Sequence, residues 1–538
     1  MERWIGVLGP LVAAAVAFPS VAAAADLYVD AAADPGGDGS EGSPFLEIQD
    51  ALDQAVAGDV VHVLPGTYAP IATVTDGTGA APITVVAEPA GEAIVQADGA
   101  AMAAHHPFHT IQGLVFDGGY GASDTVDTDG ANNLELFDVE IRRSGADCLD
   151  LHTVQNVLVA NSSIHHCVAA KGDAHGVTGD SVFDVEIRDT EIYLISGDAV
   201  QMSPTRAPWD ELSLRRCMLW GGPLDEDANG VAMGTVIGDS AVETKVGLDL
   251  DGRGSPPTLL VEDTVAFGFG GTSGDQAAMF IEEQVDAQLV GITVYGSAVG
   301  LDLRGPALAQ VHNAVLYDLG TGIRYATGLT GADVLATTLG GEIGELFVDD
   351  GGDPPVDLRI DNLLVLGNSI PDITAEGLGN LVVGPEVFID AAGHDYHLVE
   401  GSAPVDAGIE LDEVSRDRDG TVRPVGPAYD VGAYEWSEAE PPGGTGGADS
   451  TGGEGGNDGA ASEEGVDSND DAMTATPDSS GTTTGPSAGT GSGLLDGGAS
   501  ASGCDCRMRG PSPAGPLWGL ALLGLLARRR RERYQSSR

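Results

Sequence analysis

A six-residue pattern of apolar and polar positions recurs through the middle of the chain. It reads apolar, any residue, Asn, Asp or Gly, two variable residues, then apolar again. Copies start roughly 22–28 residues apart, except for one gap of about twice that length between Leu214 and Val261. A fixed period of this size is typical of a solenoid whose stacked coils build the core. Clear copies are Leu136–Ile141, Val159–Ile164, Ile187–Ile192, Val261–Ala266, Val311–Leu316 and Ile360–Val365, and weaker copies begin at Ile111, Leu214, Leu289 and Val334.

The segments between the copies predict β-strands rather than helices. They are short alternating runs, such as Ala199–Met202 and Gly300–Leu303, that end at Gly or Asp. Three strands and three turns per coil would form a right-handed parallel β-helix, an all-β fold. Asn and Asp tolerate a left-handed backbone and bond to nearby backbone groups. We therefore expect the repeated Asn/Asp position to form a ladder at one corner, followed by a small, packed residue.

The ends of the chain predict export. Met1–Ala25 carries Arg3, an apolar run and an Ala-rich end, as a secretory signal peptide does. We expect residues 26–436 to form the β-helix domain. Residues 437–503 are rich in Gly, Ser, Thr and acidic side chains, which predicts a disordered linker.

Residues 504–538 predict a C-terminal sorting or membrane-anchor tag. The apolar stretch Gly515–Ala527 predicts a helix that is shorter than the ~20 residues of a comfortable span. Arg528–Arg531 after it would stay on the cytoplasmic side. With Cys504-Asp505-Cys506, this tail closely resembles the MYXO-CTERM sorting signal of myxobacterial surface proteins. The resemblance implies tail processing, with Cys504 as a modification site, and places the protein at the cell surface or outer membrane, or secreted after processing. A plain anchor is the alternative.

The charge balance limits the partners. Twenty-four basic residues face 83 acidic ones, for a formal net charge of −59. Such a chain repels nucleic acid and anionic membranes. We expect no nucleic-acid partner, membrane contact only through the tail, and a monomeric body. The acidic surface either recruits divalent cations or simply keeps an exported protein soluble.

Three cysteines lie in the body, at Cys148, Cys167 and Cys217. Export permits disulfides, but an odd number leaves at least one thiol unpaired. Cys217 follows the Asn/Asp position of its coil, which predicts a buried packing role.

Two stretches carry a family resemblance. Leu27–Tyr68 contains a helix predicted near Leu46–Ala57, which would cover the open end of the stack, and a strand at Val60–Val63. This stretch and Asp395–Glu435 resemble the first and last coils of right-handed parallel β-helix proteins of the pectate-lyase-like superfamily. The resemblance implies the fold; this fold hosts lyases, hydrolases, epimerases and adhesins.

Aligning the coils stacks two pairs of carboxylates. Asp124 and Asp127 lie one coil from Asp147 and Asp150, and strand rungs are about 4.8 Å apart. Consecutive rungs could then share a hard cation such as calcium. The arrangement is similar to the calcium site of family-nine pectate lyases, and the resemblance implies these four residues as ligands. The sequence departs from it at Ala146 and Cys148; ordinary turn-capping Asp residues are the alternative. Neighbouring candidates for substrate binding are His152, His175 and Gln201.

The catalytic base is a weaker match. In the family, a lysine abstracts the proton α to a uronate carboxylate, but the aligned position here is Thr178. Lys171 and Lys245 are the two lysines of the chain and the candidates for this role, with structural ion pairs as the alternative. Adjacent histidines on a strand point to opposite faces, so we do not expect His165-His166 or His105-His106 to chelate a metal.

Three hypotheses of function remain from the sequence. The first is a surface protein that processes acidic polysaccharide, as a calcium-dependent lyase or a relative of one. The second is a non-catalytic carbohydrate-binding or adhesive protein, and the third is a structural cell-surface spacer. The low aromatic content, 5%, disfavours strong platforms for sugar stacking.

Overall fold

The computed structural model describes residues 24–203, 209–245, 256–270, 276–282, 284–305, 308–325, 331–351, 357–367, 369 and 377–438. They form a right-handed parallel β-helix of about 11 turns, which confirms the predicted fold class. The apolar stretch of the signal peptide, nearly all of the linker and the whole C-terminal tag lie outside the described residues. Within the described residues, no helix is long and apolar enough to cross a membrane.

Each typical coil contributes one strand to each of three faces. We call them faces A, B and C in the order in which the chain meets them within a coil. Face A is a 13-stranded parallel sheet. Its strands are Asp26–Val29, Val60–Val63, Ile83–Ala87, His109–Gln112, Leu134–Phe137, Gln155–Ala160, Phe183–Arg188, Glu211–Arg215, Thr258–Glu262, Asp286–Val290, Leu308–His312, Gly331–Leu335 and Asp357–Asp361.

Faces B and C belong to one 22-stranded sheet, because two long strands, Thr293–Leu303 and Val315–Tyr325, run across both. Face B also contains Gly66–Tyr68, Ala93–Gln96, Leu114–Asp117, Glu140–Arg142, Ser163–His165, Glu191–Tyr193, Met218–Trp220, Val265–Phe267, Thr338–Leu339, Leu364–Leu366 and Leu381–Val383. Face C also contains Ile71–Ala72, Met102–Ala104, Val126–Asp129, Leu149–His152, Val177–Asp180, Val200–Met202, Val242–Thr244, Met279–Ile281 and Ile343–Asp349.

The ends differ from the regular coils. The helix Ile48–Leu52 is shorter than the predicted Leu46–Ala57 and buries Ile48, Ala51 and Leu52. Near the other end, Phe388–Asp390 and Asp395–Leu398 pair antiparallel. The expectation of a last coil from Asp395 onward is therefore wrong at this strand. Two short 3-10 helices, Pro385–Val387 and Ala391–Gly393, flank Phe388–Asp390.

The predicted Asn/Asp ladder lies at the corner between faces A and B. Its non-glycine members have left-handed φ values between 48° and 54°, including the non-Asx residues Arg216 and Ala336. The next residue is buried, as predicted, because it turns into the core. Val139, Ser162, Thr190, Cys217, Thr264 and Ala314 occupy this position. The ladder side chains at this corner are Asp138, Asn161, Asp189, Arg216, Asp263, Asn313, Ala336 and Asn362.

The long gap in the repeat is an insertion within one coil. Leu214 pairs in register with Val261, so the two copies lie on adjacent coils. The extra residues lie between the face B strand Met218–Trp220 and the face C strand Val242–Thr244, and include a small hairpin, Gly222–Pro223 and Val236–Ile237. Asn229 of this insertion donates a hydrogen bond to the Val168 carbonyl, 2.7 Å away. The insertion therefore covers the loops of earlier coils.

With three cysteines in the body, at least one thiol must remain unpaired. Cys148 and Cys167 form a disulfide, and Cys217 is a free, buried thiol. Burial raises the pKa of Cys217 to about 11. The predicted packing role of Cys217 is confirmed.

Candidate functional site

The outward positions of face C form a polar row across adjacent coils. Asp127 pairs with Asp150, which pairs with Thr178 and then Gln201 and Glu243. This register confirms the sequence alignment of Asp127, Asp150 and Thr178. The residues on either side of Asp150, Leu149 and Leu151, point into the core. Although they face outward, Asp150, Gln201 and Glu243 are only 8–9% exposed, so neighbouring side chains and loops enclose this row.

Asp127, Asp150 and His152 form the one group of three or more converging potential metal ligands among the described residues. Their ligand atoms all lie within 4.8 Å of one another. His152 Nε2 lies 2.6 Å from Asp150 Oδ2, which orients that carboxylate. Asp127 is more exposed than Asp150, so the group is reached from the Asp127 side.

The other two predicted ligands are engaged at the turn before face C. Asp124 Oδ1 accepts the backbone N–H of Asp147, and Asp147 Oδ1 accepts the backbone N–H of His175. Burial and the neighbouring carboxylates raise the pKa of Asp124. The structure thus separates the predicted quartet. Asp127 and Asp150 converge with His152, whereas Asp124 and Asp147 cap the backbone of the following coil.

His175 joins two carboxylates on either side of it. Its Nδ1 lies 2.9 Å from Asp147 Oδ1, and its Nε2 lies 3.3 Å from Asp198 Oδ2. Burial opposes protonation, but these two carboxylates outweigh it and raise the pKa of His175 to about 10. A raised pKa favours the imidazolium form, which suits charge pairing with the two carboxylates better than proton abstraction. Burial would also raise the pKa of Asp198, but contact with His175 lowers it.

Gln201 extends this network to Glu243 and Lys245. Its Nε2 lies 2.6 Å from Asp198 Oδ2 and 2.8 Å from Glu243 Oε2. Glu243 Oε2 lies 2.7 Å from Lys245 Nζ. Burial and the charge of Asp198 raise the pKa of Glu243 to about 7. Burial lowers the pKa of Lys245, but Glu243 outweighs it, so the net shift is upward.

The two predicted catalytic lysines occupy different environments. Lys245 lies beside face C, in contact with Glu243. Lys171 is exposed in the loop before the strand Val177–Asp180 and makes no ion pair with any residue that the structure describes. The structure therefore brings Lys245, and not Lys171, to the polar row. A raised pKa keeps Lys245 protonated, which suits charge pairing better than proton abstraction.

Sequence reasoning missed Glu243 and misjudged one histidine pair. Glu243 could have been found by continuing the coil alignment across the insertion to Val242–Thr244. His165 and His166 were expected to point apart, but their Nδ1 atoms lie 2.7 Å from each other. That expectation is wrong because His166 has a left-handed φ of 56°, which breaks the alternation of a strand. The other pair shows no such convergence, and His106 Nδ1 instead lies 3.2 Å from Thr73 Oγ1.

Comparisons with known proteins find similarity in structure at low sequence identity. No family model matches the sequence, and no curated protein matches it. The chain is similar to the pectate lyase Pel9A at 13% identity and a TM-score of 0.45, covering 78% of this chain and 98% of that chain. It is similar to a rhamnogalacturonan lyase at 14% identity and a TM-score of 0.40, covering 74% and 95%. It is also similar to the A-module of a mannuronan C-5 epimerase from Azotobacter vinelandii, at 14% identity and a TM-score of 0.41, covering 63% and 93%.

Proposed function

We propose that face C binds an acidic polysaccharide through a divalent cation held by Asp127 and Asp150. The observation that carries this proposal is the convergence of Asp127, Asp150 and His152 on adjacent rungs. A carboxylate row in a protein of net charge −59 repels a polyanion unless cations lie between them. Binding should therefore depend on the cation.

The residues at this position fit calcium. Two carboxylates supply up to four oxygen ligands, and the exposed side of Asp127 leaves room for water or carboxylates of the polymer. His152 holds Asp150 in place through the 2.6 Å contact and need not be a ligand. A bound cation would neutralise a uronate carboxylate at face C. In this proposal, His175 at the turn before face C and Gln201 in the row would contact the same chain of sugars.

A lyase reaction is the second candidate, and the Glu243–Lys245 pair favours it. Proton abstraction α to a carboxylate needs a base whose pKa lies near the working pH. The pKa of Glu243, about 7, meets this requirement better than Lys245, whose pKa is raised. In this form of the function, Glu243 would accept the proton, and Lys245 would pair with the charge that develops.

The setting of this function is the cell surface. The signal peptide and the tag that resembles MYXO-CTERM support export and sorting, with the linker as the connection between the tag and the β-helix domain. A non-catalytic adhesive protein would use the same cation and the same face.

The test measures polymer retention and product formation in one sample. The full-length protein is mixed with a panel of uronate polysaccharides, in calcium and then in excess chelator. We expect retention in calcium, loss in chelator, and at least tenfold weaker retention by Asp127→Asn. Asp138→Asn is the matched control, because it removes the same charge at the corner between faces A and B, where Asn161 is natural.

Ultraviolet absorbance of unsaturated products separates the two candidates. A calcium-dependent rise that is lost in Glu243→Gln would establish the lyase. Retention without any rise would establish binding alone. Equal retention in calcium and chelator, or by Asp127→Asn and wild type, would refute the cation-dependent site.

A further inference from the structure

The pair His165 and His166 lies apart from face C, at the end of the face B strand Ser163–His165. The two rings stand at 78° to each other with their Nδ1 atoms 2.7 Å apart. This arrangement depends on the left-handed backbone at His166. The side-chain exposure is 13% for His165 and 9% for His166, so the rings are held in place by their surroundings.

Each ring has a carboxylate behind it. His165 Nε2 lies 3.2 Å from Glu140, and His166 Nε2 lies 2.8 Å from Asp225 of the insertion. A carboxylate only accepts hydrogen bonds when ionised, so both Nε2 atoms carry their proton. With Nε2 engaged in this way, Nδ1 is the nitrogen of each ring that is left for a metal ion. A carboxylate that fixes the outer N–H of an imidazole is the usual support of a metal-binding histidine.

The surrounding charge and space suit a divalent cation. Two guanidinium groups, Arg142 and Arg143, lie near the pair, and four carboxylates offset them. Two positive and four negative charges leave a net charge of −2 when both rings are neutral. A cavity of about 270 Å³ opens beside the pair. The carboxylates are Asp117, Glu140, Asp225 and Glu226.

The distance between the two Nδ1 atoms favours one coordination geometry over another. With metal–nitrogen bonds of about 2.0 Å, a separation of 2.7 Å gives an N–metal–N angle of roughly 85°. A tetrahedral ion would need nitrogens about 3.3 Å apart at the same bond length. An angle near 90° is that of square-planar or tetragonal ions, for which Cu²⁺ and Ni²⁺ are typical.

We propose that His165 and His166 bind a tetragonal divalent transition metal ion, with Cu²⁺ preferred, through the Nδ1 atoms of both rings. Glu140 and Asp225 orient the rings, and water completes the coordination. Because Asp225 belongs to the insertion, the ion fixes the insertion against the coil that carries the two histidines. This site does not depend on cation or polymer binding at face C.

The test is a Cu²⁺ titration of the full-length protein followed by electron paramagnetic resonance. We expect an axial copper signal with superhyperfine splitting from two nitrogens. His166→Asn and His165→Phe should each remove this signal and weaken copper binding at least tenfold. Asn suits the left-handed backbone at position 166, and Phe retains the stacking of His165 on Tyr193. Both variants should therefore fold.

Two further variants keep the result interpretable. Asp225→Asn, at an exposed carboxylate, should weaken copper binding about tenfold without loss of folding. His106→Asn, in the pair that does not converge, should leave the signal unchanged, as should Asp127→Asn on face C. An identical copper signal in wild type, His165→Phe and His166→Asn would overturn the proposal. A signal without nitrogen splitting would overturn it too, because the rings would then share a proton instead of an ion.

Discussion

Faces B and C are built from the same coils, yet their outward rows are opposite in character. On face B, the rings of His165, Tyr193, Trp220, Phe267, Tyr295 and Tyr317 stack in order, and His394 after the second 3-10 helix stacks on Tyr317. The centroids are 4.4–6.0 Å apart and the planes lie within 17°. On face C, the corresponding row contains the carboxylates of Asp127, Asp150 and Glu243, with Thr178 and Gln201 between the last two of them. The backbone register is equally regular in both.

The difference shows how one geometry supports stability on one face and chemistry on the other. Stacked rings cover each other's faces, so the face B row presents ring edges to solvent and is not a platform for sugars. The low aromatic content of the sequence did not reveal this ring stack, because six of the rings lie at one position of successive coils. On face C, the same spacing brings like charges close together, and cations or histidine must compensate them.

The largest effect on stability is expected from a substitution of His175, which lies between two carboxylates beside face C. His175→Leu leaves Asp147 and Asp198 without the imidazolium, which should cost about 3 kcal/mol of unfolding free energy near pH 6. The folded pKa of His175, about 10, lies above the ordinary value of 6.5. Its stabilisation is therefore complete below about pH 6.5 and is lost as pH rises toward 10. The difference between the unfolding midpoints of wild type and variant should therefore shrink from pH 6 to pH 8 and again to pH 10. A gap that stays constant with pH would contradict this account of His175.

A smaller effect on stability is expected from a substitution in the ring stack of face B. Tyr295 stacks on Phe267 at 4.7 Å and on Tyr317 at 4.9 Å. Tyr295→Leu should cost about 2 kcal/mol, because two aromatic contacts are lost, whereas Tyr295→Phe should cost much less. Neither should change polysaccharide retention, which is measured beside the unfolding midpoint. Reduced retention by Tyr295→Leu at full folding would mean that face B also contacts the polymer.

The smallest difference is expected between the two lysines. Lys245→Met should weaken retention of a uronate polysaccharide a few-fold, because Lys245 lies at face C beside Glu243. Lys171→Met is the matched control, since that side chain is exposed and makes no ion pair with any residue that the structure describes. Retention is compared at low and moderate salt, where the contribution of an exposed charge changes most. Equal losses in both variants would indicate a general charge effect instead of a site.

The repeat period in the sequence predicted the structural features that recur from coil to coil. Features that occur once in the chain could not be predicted from it. The Asn/Asp corner, the packed Cys217 and the alignment of Asp127 with Asp150 all follow from the period of the coils. By contrast, the histidine pair occurs once. It lies on a left-handed corner after face B that recurs at Arg143 and Leu194 but repeats no residue type. Glu243 lies after an insertion that interrupts the repeat. The division of the four aspartates depends on turn geometry, in which Asp124 and Asp147 accept backbone N–H groups.

The most direct test of the cation bridge at face C is the coupling between calcium and polymer. Calcium affinity of the full-length protein is measured by calorimetry with and without a retained uronate polysaccharide, and polymer affinity with and without calcium. If an ion at Asp127 and Asp150 bridges the protein and the polymer, bound polymer should raise the affinity for calcium, and bound calcium should raise the affinity for the polymer. The two factors should be equal and at least tenfold. Asp150→Asn should abolish this coupling, and Asp138→Asn should preserve it. Calcium affinity that is unchanged by the polymer, or coupling that survives in Asp150→Asn, would contradict the account.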